Sequence, residues 1–546
     1  MAKLIEETVE KTKIPKDAQK EILEDYRLAV LSRETSLLGR REVLTGKAKF
    51  GIFGDGKEIA QIALAKQFKE GDWRSGYYRD QTFMMASGLL TVQEFFAQLY
   101  AHPSVEAEPA SGGRQMNGHY ATRFIDGEGN WLNQTELKNV SADISPTGGQ
   151  MPRLLGLAYA STFYKQNKGL KDHSKNYSKD GNEVAFGTIG DASTSEGPFW
   201  ETINAAGVLS VPLVMSVWDD GHGISVPKKY QTTKGSISEA LSGFQRKEGT
   251  NGYEIFNVKG WDYAKLLLTY DKAVAVSREK HIPVLIHVEE LTQPQGHSTS
   301  GSHERYKSKE RLAWEIEYDG IAQFKKWILE LGAATEAELE EIHKAAKKEV
   351  REGKKAAWDA FVNSVSAEKE EALTLLNSLA SASPNKVFIE KHISNLKANN
   401  DPERKAIYEA VRRSLRIARA ENNATKASLI SWLDVQIDLN EDRYDSNLYE
   451  PGDSSALNVE PVEAEYSEEK LVDGREILRE NFDSILTNKP EVLIFGEDSG
   501  KIGGVNQSLE GLQDKHGELR VFDTGIRECT IVGQAIGLAM RGLRPI

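Results

Sequence analysis

The sequence contains a single cysteine, Cys529, among 546 residues. No intrachain disulfide can therefore form, zinc modules built on several cysteines are excluded, and a reducing compartment is expected. Long hydrophobic runs are also absent: the hydrophobic fraction is 39%, the mean hydropathy is -0.49, and no stretch approaches the roughly 20 apolar residues of a membrane span. We therefore expect a soluble protein with no membrane partner.

Positive charge is scarce as well. The 69 Lys and Arg residues are outnumbered by 82 Asp and Glu, which gives a formal net charge of -13. Such a chain repels a phosphate backbone, so we expect no nucleic-acid partner. The N-terminus mixes Glu and Lys and has neither an apolar signal core nor an Arg-rich transit pattern, which favours a cytoplasmic location.

The length corresponds to three or four folding units at about 150 residues per unit. From about residue 20 to 380, short apolar runs alternate with helical patterns, which is typical of an α/β fold with a parallel sheet. Continuous apolar character predicts strands that are covered on both faces. The predicted strands are 184–189, 211–218, 283–288 and 492–495.

The composition changes in the second half of the chain. Residues 335–430 are rich in Glu, Lys and Ala with a helical period, so exposed helices are predicted, and residues 434–467 are acidic and turn-rich, which predicts a linker. We expect a domain over residues 1–380, a helical segment and acidic linker over 381–467, and a further, incomplete domain over 468–546.

The segment 183–227 is predicted to form a strand–helix–strand unit in which Asp191 ends the first strand and Asp220 follows the second, 29 residues later. Open α/β sheets bind ligands at this strand edge. Two carboxylates without a nearby His or Cys pair favour Mg²⁺ or Ca²⁺, and the helix beginning near Ser195 would offer backbone N–H groups to an anion. Acidic residues that merely end strands and cap helices would have the same spacing, so spacing alone leaves both interpretations open.

The residue order goes further. Gly190-Asp191-Ala192, Ser195-Glu196-Gly197 and Asp219-Asp220-Gly221-His222 together resemble the thiamine diphosphate motif of transketolase-like enzymes. The resemblance implies doubly wound parallel-sheet domains and a Mg²⁺ ion held by Asp191, Asp220 and the backbone carbonyl of His222, with Ala192 and Ser193 beside the diphosphate. The family commonly has Asn at the position of Asp220, so this chain directs an additional negative charge at a diphosphate.

Further stretches resemble one branch of these enzymes, the first component of 2-oxo acid dehydrogenase complexes, with its α-type and β-type chains fused. They are GYYRD at 76–80, GRQM at 113–116, SPTGGQMP at 145–152 and QGHSTS at 295–300. The resemblance implies the following roles: diphosphate contacts for Tyr78 and Arg79, a catalytic place near the substrate entrance for His119, aminopyrimidine contacts for Ser145 and Thr147, and cofactor binding with acyl transfer for His297.

Two departures from the branch concern charge. Relatives carry Arg four residues before the loop histidine, where this chain has Gln293, and some carry Arg two residues before the second acidic position, where it has Trp218. Both departures are expected to affect the substrate preference and the cofactor affinity.

Residues 491–546 resemble the beginning of the β-type chain. Glu528 aligns with the glutamate that hydrogen-bonds the aminopyrimidine ring and exchanges a proton with it, so the resemblance implies a catalytic role for Glu528. After Ile546 the β-type pattern would continue, and we therefore expect the chain to be a piece of a longer protein.

The activity implied is oxidative decarboxylation of a 2-oxo acid with thiamine diphosphate and Mg²⁺, followed by acyl transfer to the lipoyl domain of an acyltransferase component. The wording of GRQM and GHSTS favours branched-chain substrates. A homo-oligomer is expected, because in this family the cofactor lies between two domains that usually come from different protomers.

Two alternatives remain open: ketol transfer between sugar phosphates, as in transketolase, and a non-catalytic assembly subunit that retains the fold. A stretch at 51–58, GIFGDGKE, nearly matches a phosphate-binding loop, but Glu58 stands where Ser or Thr would bind Mg²⁺, so no nucleotide site is expected there.

Overall fold

A computed structural model describes residues 15–299, 301–400, 403–445, 452–453, 455–466 and 470–546. The helices are α1 (Lys16–Leu44), α2 (Glu58–Ala65), α3 (Gln81–Ala86), α4 (Val92–Leu99), α5 (Met151–Gln166), α6 (Gly197–Leu209), α7 (Ile237–Ala240), α8 (Tyr263–Lys280), α9 (Lys309–Glu317), α10 (Gly320–Leu331), α11 (Glu336–Ala382), α12 (Lys386–Ala398), α13 (Arg404–Ile417), α14 (Ala424–Asp445), α15 (Gly474–Asn488), α16 (Leu512–His516) and α17 (Glu528–Met540). The strands are β1 (Trp73–Ser75), β2 (Asn139–Val140), β3 (Ala185–Gly190), β4 (Leu213–Trp218), β5 (His222–Gly223), β6 (Val226–Pro227), β7 (Glu254–Lys259), β8 (Val284–Glu289), β9 (Val492–Gly496), β10 (Val521–Asp523) and β11 (Arg544–Pro545).

The largest sheet has six strands in the order β2-β1-β3-β4-β8-β7, and every neighbouring pair is parallel. The predicted α/β class with a parallel sheet is confirmed. The predicted strands are observed with ends shifted by at most two residues. In the central pair, Gly190 at the end of β3 lies opposite Trp218 at the end of β4.

Both faces of this sheet are covered by helices, which explains the continuous apolar runs. Ile189 and Met215 point to one face and belong to a core cluster shared with α5 and α6. On the other face, the ring of Phe186 lies 5.4 Å from that of Phe68, and the Tyr270 hydroxyl of α8 donates to Ser216 Oγ at 3.0 Å. A strand that is buried on both sides needs apolar residues at successive positions, not only at alternate ones.

The C-terminal residues form a second parallel sheet, in the order β10-β9-β11. Its Leu493, Phe495 and Phe522 belong to the same core cluster as α5. The ring of Phe522 lies 5.6 Å from that of Tyr159 of α5. The C-terminal sheet is therefore packed against the larger sheet's helical layer.

Two compact units are recognised in the described residues. One comprises the described residues up to Leu90 together with 118–347 and 456–546, and contains both sheets; the other comprises the described residues of 91–117 and 348–455 and is helical. The helical unit has a core of its own, with members such as Leu376, Ile393 and Val411. These units divide the chain at other residues than the predicted boundaries 1–380, 381–467 and 468–546, and those boundaries stay a prediction.

The predicted linker begins too early. Helix α14 continues to Asp445 and so covers residues 434–445. The apolar residues there, Val435, Ile437 and Leu439, are spaced by two and partly exposed, so they carry no helical period. The helix is instead stabilised by the buried Gln436 and by an ion pair of 2.8 Å between Arg443 and Glu368.

None of the helices in the described ranges combines the length with the apolar character that crossing a bilayer requires.

Candidate functional site

Strands β3, β4 and β8 end side by side at one edge of the six-stranded sheet. The backbone N–H of Asp191, directly after β3, donates to the Trp218 carbonyl at 3.0 Å, and the N–H of Asp219, directly after β4, donates to the Val288 carbonyl at 2.9 Å. The acidic residues that follow β3 and β4 are therefore brought together at the carboxyl ends of the strands, where parallel sheets bind ligands.

A cavity of about 330 Å³ opens at this edge. Its wall consists of Tyr77, Tyr78, Arg79, Thr147, Gly190, Asp191, Ala192, Ser193, Trp218, Asp220, His222, Gly223, Ile224, Gln293, His297, Tyr306 and Lys307. The sequence-predicted residues in the wall are Tyr78, Arg79, Thr147, Asp191, Ala192, Ser193, Asp220, His222 and His297. The structure thus brings together residues that the sequence separates by more than 200 positions.

Two further predicted residues, His119 and Ser145, are not part of this wall. His119 Nε2 and Ser145 Oγ are 2.9 Å apart, within hydrogen-bonding distance. The His119 ring stacks on that of Tyr78, with centroids 6.3 Å apart. His119 is therefore in contact with a residue of the wall, but it is not itself part of the lining.

Asp191 is the most unusual group in the cavity. It is only 5% exposed, and its Oδ2 has no hydrogen-bond partner among the described residues. Burial raises the pKa of Asp191 well above its usual range, and the neighbouring carboxylates Asp220 and Asp219 raise it further. A buried carboxyl group without a partner is costly unless a cation or a proton neutralises it.

Asp219, in contrast, is satisfied by the protein. His287 Nε2 lies 3.0 Å from its Oδ2, and Lys228 Nζ donates to the same oxygen at 2.9 Å. Burial raises the pKa of Asp219, but the hydrogen bond from His287 and the charge of Lys228 outweigh it and lower the pKa to about 2. This carboxylate is ionised and holds the loop after β4 in place.

Asp220 is ionised as well. Lys57 Nζ donates to its Oδ2 at 3.0 Å, the backbone N–H of His222 donates to its Oδ1 at 3.2 Å, and Arg311 Nη2 donates to its backbone carbonyl at 2.9 Å. Burial opposes the charged form of Asp220, but the Lys57 ammonium lowers the pKa below its usual value through its charge and its hydrogen bond.

These groups fit a divalent cation with an attached diphosphate. Asp191 offers a buried oxygen without a partner, Asp220 offers a charged carboxylate, and both are the hard oxygen ligands that Mg²⁺ prefers. The described residues include no cluster of three or more His, Cys, Asp and Glu side chains suited to a metal. The predicted metal ligands include only two side chains, because the third ligand is the backbone carbonyl of His222.

The same cavity wall also contains the cationic side chains of Arg79 and Lys307. Arg79 lines the cavity, with Nη1 donating to the Phe53 carbonyl at 2.6 Å and Nη2 donating to the His297 carbonyl at 2.8 Å. Lys307 also lines it and forms an ion pair of 2.7 Å with Glu315. The fixed guanidinium of Arg79 is suited to an anionic ligand, because its planar fork presents several N–H donors.

His297 shares the wall with these cations. Burial lowers the pKa of His297 to about 4, and the positive charge of Arg79 contributes in the same direction. The ring is therefore neutral at pH 7 and can accept a hydrogen bond or a proton.

Glu528, the remaining predicted residue, lies outside the cavity wall at the N-terminus of α17. Helix α17 packs against α5 through glycines: a Cβ at Gly533 would collide with Pro152, and one at Gly537 would collide with the carbonyl of Arg153. Residue numbers rise together in the two helices, so they run parallel. Because the helices are parallel, Glu528 at the start of α17 lies at the same end of the pair as the start of α5, which follows the cavity residue Thr147.

The beginning of α17 is also bonded to α6. The backbone N–H of Thr530 donates to Glu201 Oε2 at 3.1 Å, and its hydroxyl donates to the same oxygen at 2.6 Å. The Thr530 N–H also donates to the Arg527 carbonyl at 2.9 Å, so Glu201 is its second acceptor and an acceptor of the Thr530 hydroxyl.

The GRQM stretch belongs to the helical unit. Arg114 donates to the carbonyls of Arg443 at 2.8 Å and Tyr444 at 3.0 Å, at the end of α14. Its predicted place near the substrate entrance stays a prediction.

Lys57, Tyr306 and Lys307 were missed by the sequence analysis. Lys57 had a signal, because it is the lysine of the 51–58 stretch that was set aside as an incomplete phosphate-binding loop. The structure shows no nucleotide-binding strand–loop–helix there; instead Gly56 adopts a positive φ of 89° and approaches the Thr292 carbonyl so closely that a Cβ would collide with it.

Comparison with known proteins identifies two segments. The family model described as Dehydrogenase E1 component matches residues 26–365, and the model described as Transketolase, pyrimidine binding domain, matches residues 470–546.

Individual relatives agree with this division. The 2-oxoisovalerate dehydrogenase subunit alpha of Bacillus subtilis is 26% identical over 362 residues, which is 65% of this chain and 94% of that protein. The pyruvate dehydrogenase E1 component subunit alpha of Acholeplasma laidlawii is 26% identical over 64% of this chain and 86% of that protein. The pyruvate dehydrogenase E1 component subunit beta of Leifsonia xyli is 57% identical over 61 residues, 11% of this chain and 18% of that protein. The chain thus spans most of these α-type relatives but less than a fifth of this β-type one.

Proposed function

The chain belongs to the Dehydrogenase E1 component family, and from that membership we propose that it decarboxylates a 2-oxo acid oxidatively and passes the acyl group to a lipoyl domain. Its α-type and β-type segments correspond to the two subunit types of E1 enzymes. The observation that carries the proposal is the cavity at the ends of β3, β4 and β8, where Asp191 Oδ2 has no hydrogen-bond partner among the described residues.

The E1 family depends on thiamine diphosphate, and the proposed site uses it with Mg²⁺. Asp191, Asp220 and the carbonyl of His222 hold the metal, while Tyr78, Arg79, Ala192 and Ser193 contact the diphosphate. Ser145 and Thr147 hold the aminopyrimidine. When it is bound, the cofactor supplies an electron sink for the decarboxylation.

The chain's own groups prepare the reaction. Glu528 exchanges a proton with the aminopyrimidine from the start of α17. His297 enters as a neutral imidazole, because burial keeps its pKa near 4, and it accepts or returns a proton during acyl transfer. His119, in hydrogen-bonding distance of Ser145 and stacked on the wall residue Tyr78, acts near the substrate entrance.

The first test is a calorimetric titration with thiamine diphosphate, with and without Mg²⁺. We expect binding that depends on the metal and is lost in Asp191→Ala, because that variant removes the unpartnered oxygen. Asp172→Ala is the matched control: its side chain is 97% exposed, and binding should be unchanged. Binding that is equally strong without metal, or in Asp191→Ala, would contradict the proposed metal site.

The substrate is the second question. We propose a branched-chain 2-oxo acid, supported by the GRQM and GHSTS wording and by the 2-oxoisovalerate relative. Decarboxylation of 2-oxoisovalerate, pyruvate and 2-oxoglutarate would be compared with a free lipoyl domain as acceptor. Turnover of sugar phosphates instead would favour ketol transfer, and cofactor binding without any turnover would favour a non-catalytic assembly subunit.

The partners follow from the same proposal. E1 components work in 2-oxo acid dehydrogenase complexes beside a lipoyl acyltransferase, and we propose such a partner for this chain. We further propose a homo-oligomer in the cytoplasm. In it, residues 1–380 and residues 468–546 supply opposite ends of the cofactor site. Size-exclusion chromatography with light scattering would measure the oligomeric state.

A further inference from the structure

Lys57 is a buried lysine whose contacts all lie at the proposed site. It is 1% exposed, and its ammonium donates to Asp220 Oδ2 at 3.0 Å, to the Thr292 carbonyl at 3.1 Å and to Gln293 Oε1 at 2.7 Å. Asp220 and Gln293 belong to the cavity wall, whereas Lys57 is not part of that lining and lies behind it. The three N–H groups of the ammonium are thus matched by three acceptors.

The local backbone holds the lysine in this place. Gly56 allows the turn to approach Thr292 closely, and Asp55 Oδ2 accepts the backbone N–H of Gln295 at 3.0 Å. On the far side, Glu58 is fixed by Arg33 at 2.6 Å. The turn before α2 is therefore attached to the segment 292–295 independently of any ligand.

The contacts of Lys57 unite two of the positions where the chain departs from the family pattern. Asp220 adds a negative charge where relatives have Asn, and Gln293 lacks the positive charge of their Arg. Both changes make the cavity less favourable to a diphosphate, and Asp191 and Asp219 add further carboxylates nearby. A single ammonium that contacts both residues offsets part of this change.

We propose that Lys57 is a positioning residue of the cofactor site, whose ammonium cancels the charge of Asp220 and holds Gln293, so that an anionic diphosphate with its metal binds beside two carboxylates. This rests on the proposed function. Lys57 acts through Asp220 and Gln293 and does not itself touch the cofactor.

The test is a double-mutant cycle on the intact chain with Lys57→Met, Asp220→Asn and the combined variant. The probes are thiamine diphosphate and inorganic pyrophosphate, each titrated calorimetrically at saturating Mg²⁺. Lys57→Met should weaken both by about 30-fold or more, because it leaves the Asp220 charge uncompensated next to the ligand. The combined variant restores the net charge of the wild type, so its affinity should return to within about fivefold.

This rescue separates a charge role from a packing role, because removing the Asp220 charge repairs no packing defect. Lys229→Met, which removes an exposed lysine, is the control for a general loss of positive charge and should change the affinity less than threefold. An unchanged affinity in Lys57→Met, or a combined variant that binds more than fivefold weaker than the wild type, would overturn the proposal.

If Lys57→Met alone does not fold, the combined variant decides. A combined variant that folds and binds with near-wild-type affinity supports the proposal. A combined variant that does not fold, or that folds and binds weakly, overturns it. Pyrophosphate keeps the two questions apart. A wild-type chain that binds Mg²⁺-pyrophosphate but not thiamine diphosphate would refute the proposed function, while the Lys57 cycle could still be measured with pyrophosphate.

Discussion

The cavity edge of the large sheet and the contact between α5 and α17 are stabilised by different forces. At the cavity edge, burial of charge is balanced by specific partners, which are Lys57 for Asp220 and Lys228 and His287 for Asp219. Asp191 Oδ2 has no hydrogen-bond partner among the described residues. Between α5 and α17, the backbones approach closely because both helices present glycines.

The difference has consequences for mutation. An electrostatic site can carry an unfavourable group when a ligand compensates it, so removing that group costs function and improves stability. At a close-packed glycine contact no ligand compensates a substitution, because any added atom must displace backbone. Substitutions in the two regions test this contrast.

The largest effect is expected for Asp191→Asn. It removes the charge of a proposed metal ligand whose Oδ2 has no hydrogen-bond partner among the described residues, so affinity for thiamine diphosphate with Mg²⁺ should fall about 1000-fold, or about 4 kcal/mol. The ligand-free chain should become more stable by about 1 kcal/mol, since an amide is cheaper to bury than a carboxylate. Calorimetry and urea denaturation measure the two quantities. A variant that loses stability together with binding would show that Asp191 is a structural group, contrary to the contrast drawn above.

Gly537→Ala should lower the free energy of unfolding by about 3 kcal/mol, whereas Asp191→Asn should raise it. Its Cβ would meet the Arg153 carbonyl and the backbone of Gly156 and Leu157, none of which can move without shifting α5. Gly474→Ala is the matched control: nothing lies within 4 Å of its Cβ, and it stands at the start of α15. Equal free energies of unfolding for the two variants would refute the close-packing account.

The pH dependence of stability should contain a contribution of about 2 kcal/mol from His281. Burial lowers its pKa to about 4, with Lys165 contributing, so the folded chain binds fewer protons than the unfolded chain between pH 6.5 and 4. Stability from this residue is therefore complete above pH 6.5 and is lost as the pH falls toward 4.

His281→Asn tests this contribution, since Asn tolerates the positive φ of 51° at this helix end. Urea denaturation at pH 7 and pH 4.5 should show a smaller loss of stability in the variant than in the wild type. His297, whose pKa is shifted in the same direction, remains in both chains, so the difference isolates His281. Equal losses of stability between pH 7 and pH 4.5 in the variant and the wild type would show that His281 does not contribute.

The smallest effect is expected for Glu201→Ala, at about 1 kcal/mol of stability. The variant removes the acceptor of the Thr530 hydroxyl and one of two acceptors of its N–H, which also donates to the Arg527 carbonyl. Glu201→Gln keeps a side-chain oxygen and should lose about half as much. If the alanine variant is as stable as the wild type, the bond between α6 and α17 contributes nothing to holding the start of α17.

Sequence patterns predicted those parts of the molecule in which neighbouring residues determine the outcome. The strands that end before Asp191 and Asp220 are apolar throughout because both faces of the sheet are covered, and the carboxyl ends of parallel strands meet at one edge. That reasoning placed Asp191 and Asp220 correctly without knowledge of the rest of the chain.

The parts that could not be predicted depend on distant residues. Lys57 contacts Asp220 and Gln293 across 163 and 236 positions of sequence, so no local pattern relates them. Residues 434–445 have no helical apolar period, and their helix is held by partners such as Glu368. The packing of α17 against α5 depends on glycine contacts that two separate small-residue helices do not reveal.

The most direct test of the central claim is a crystal structure of this chain with thiamine diphosphate and Mn²⁺, whose anomalous scattering locates the metal. The account predicts the metal in direct contact with Asp191 Oδ2 and the Asp220 carboxylate, with Lys57 still paired to Asp220. A metal and diphosphate bound elsewhere, or bound at this edge without Asp191, would contradict it.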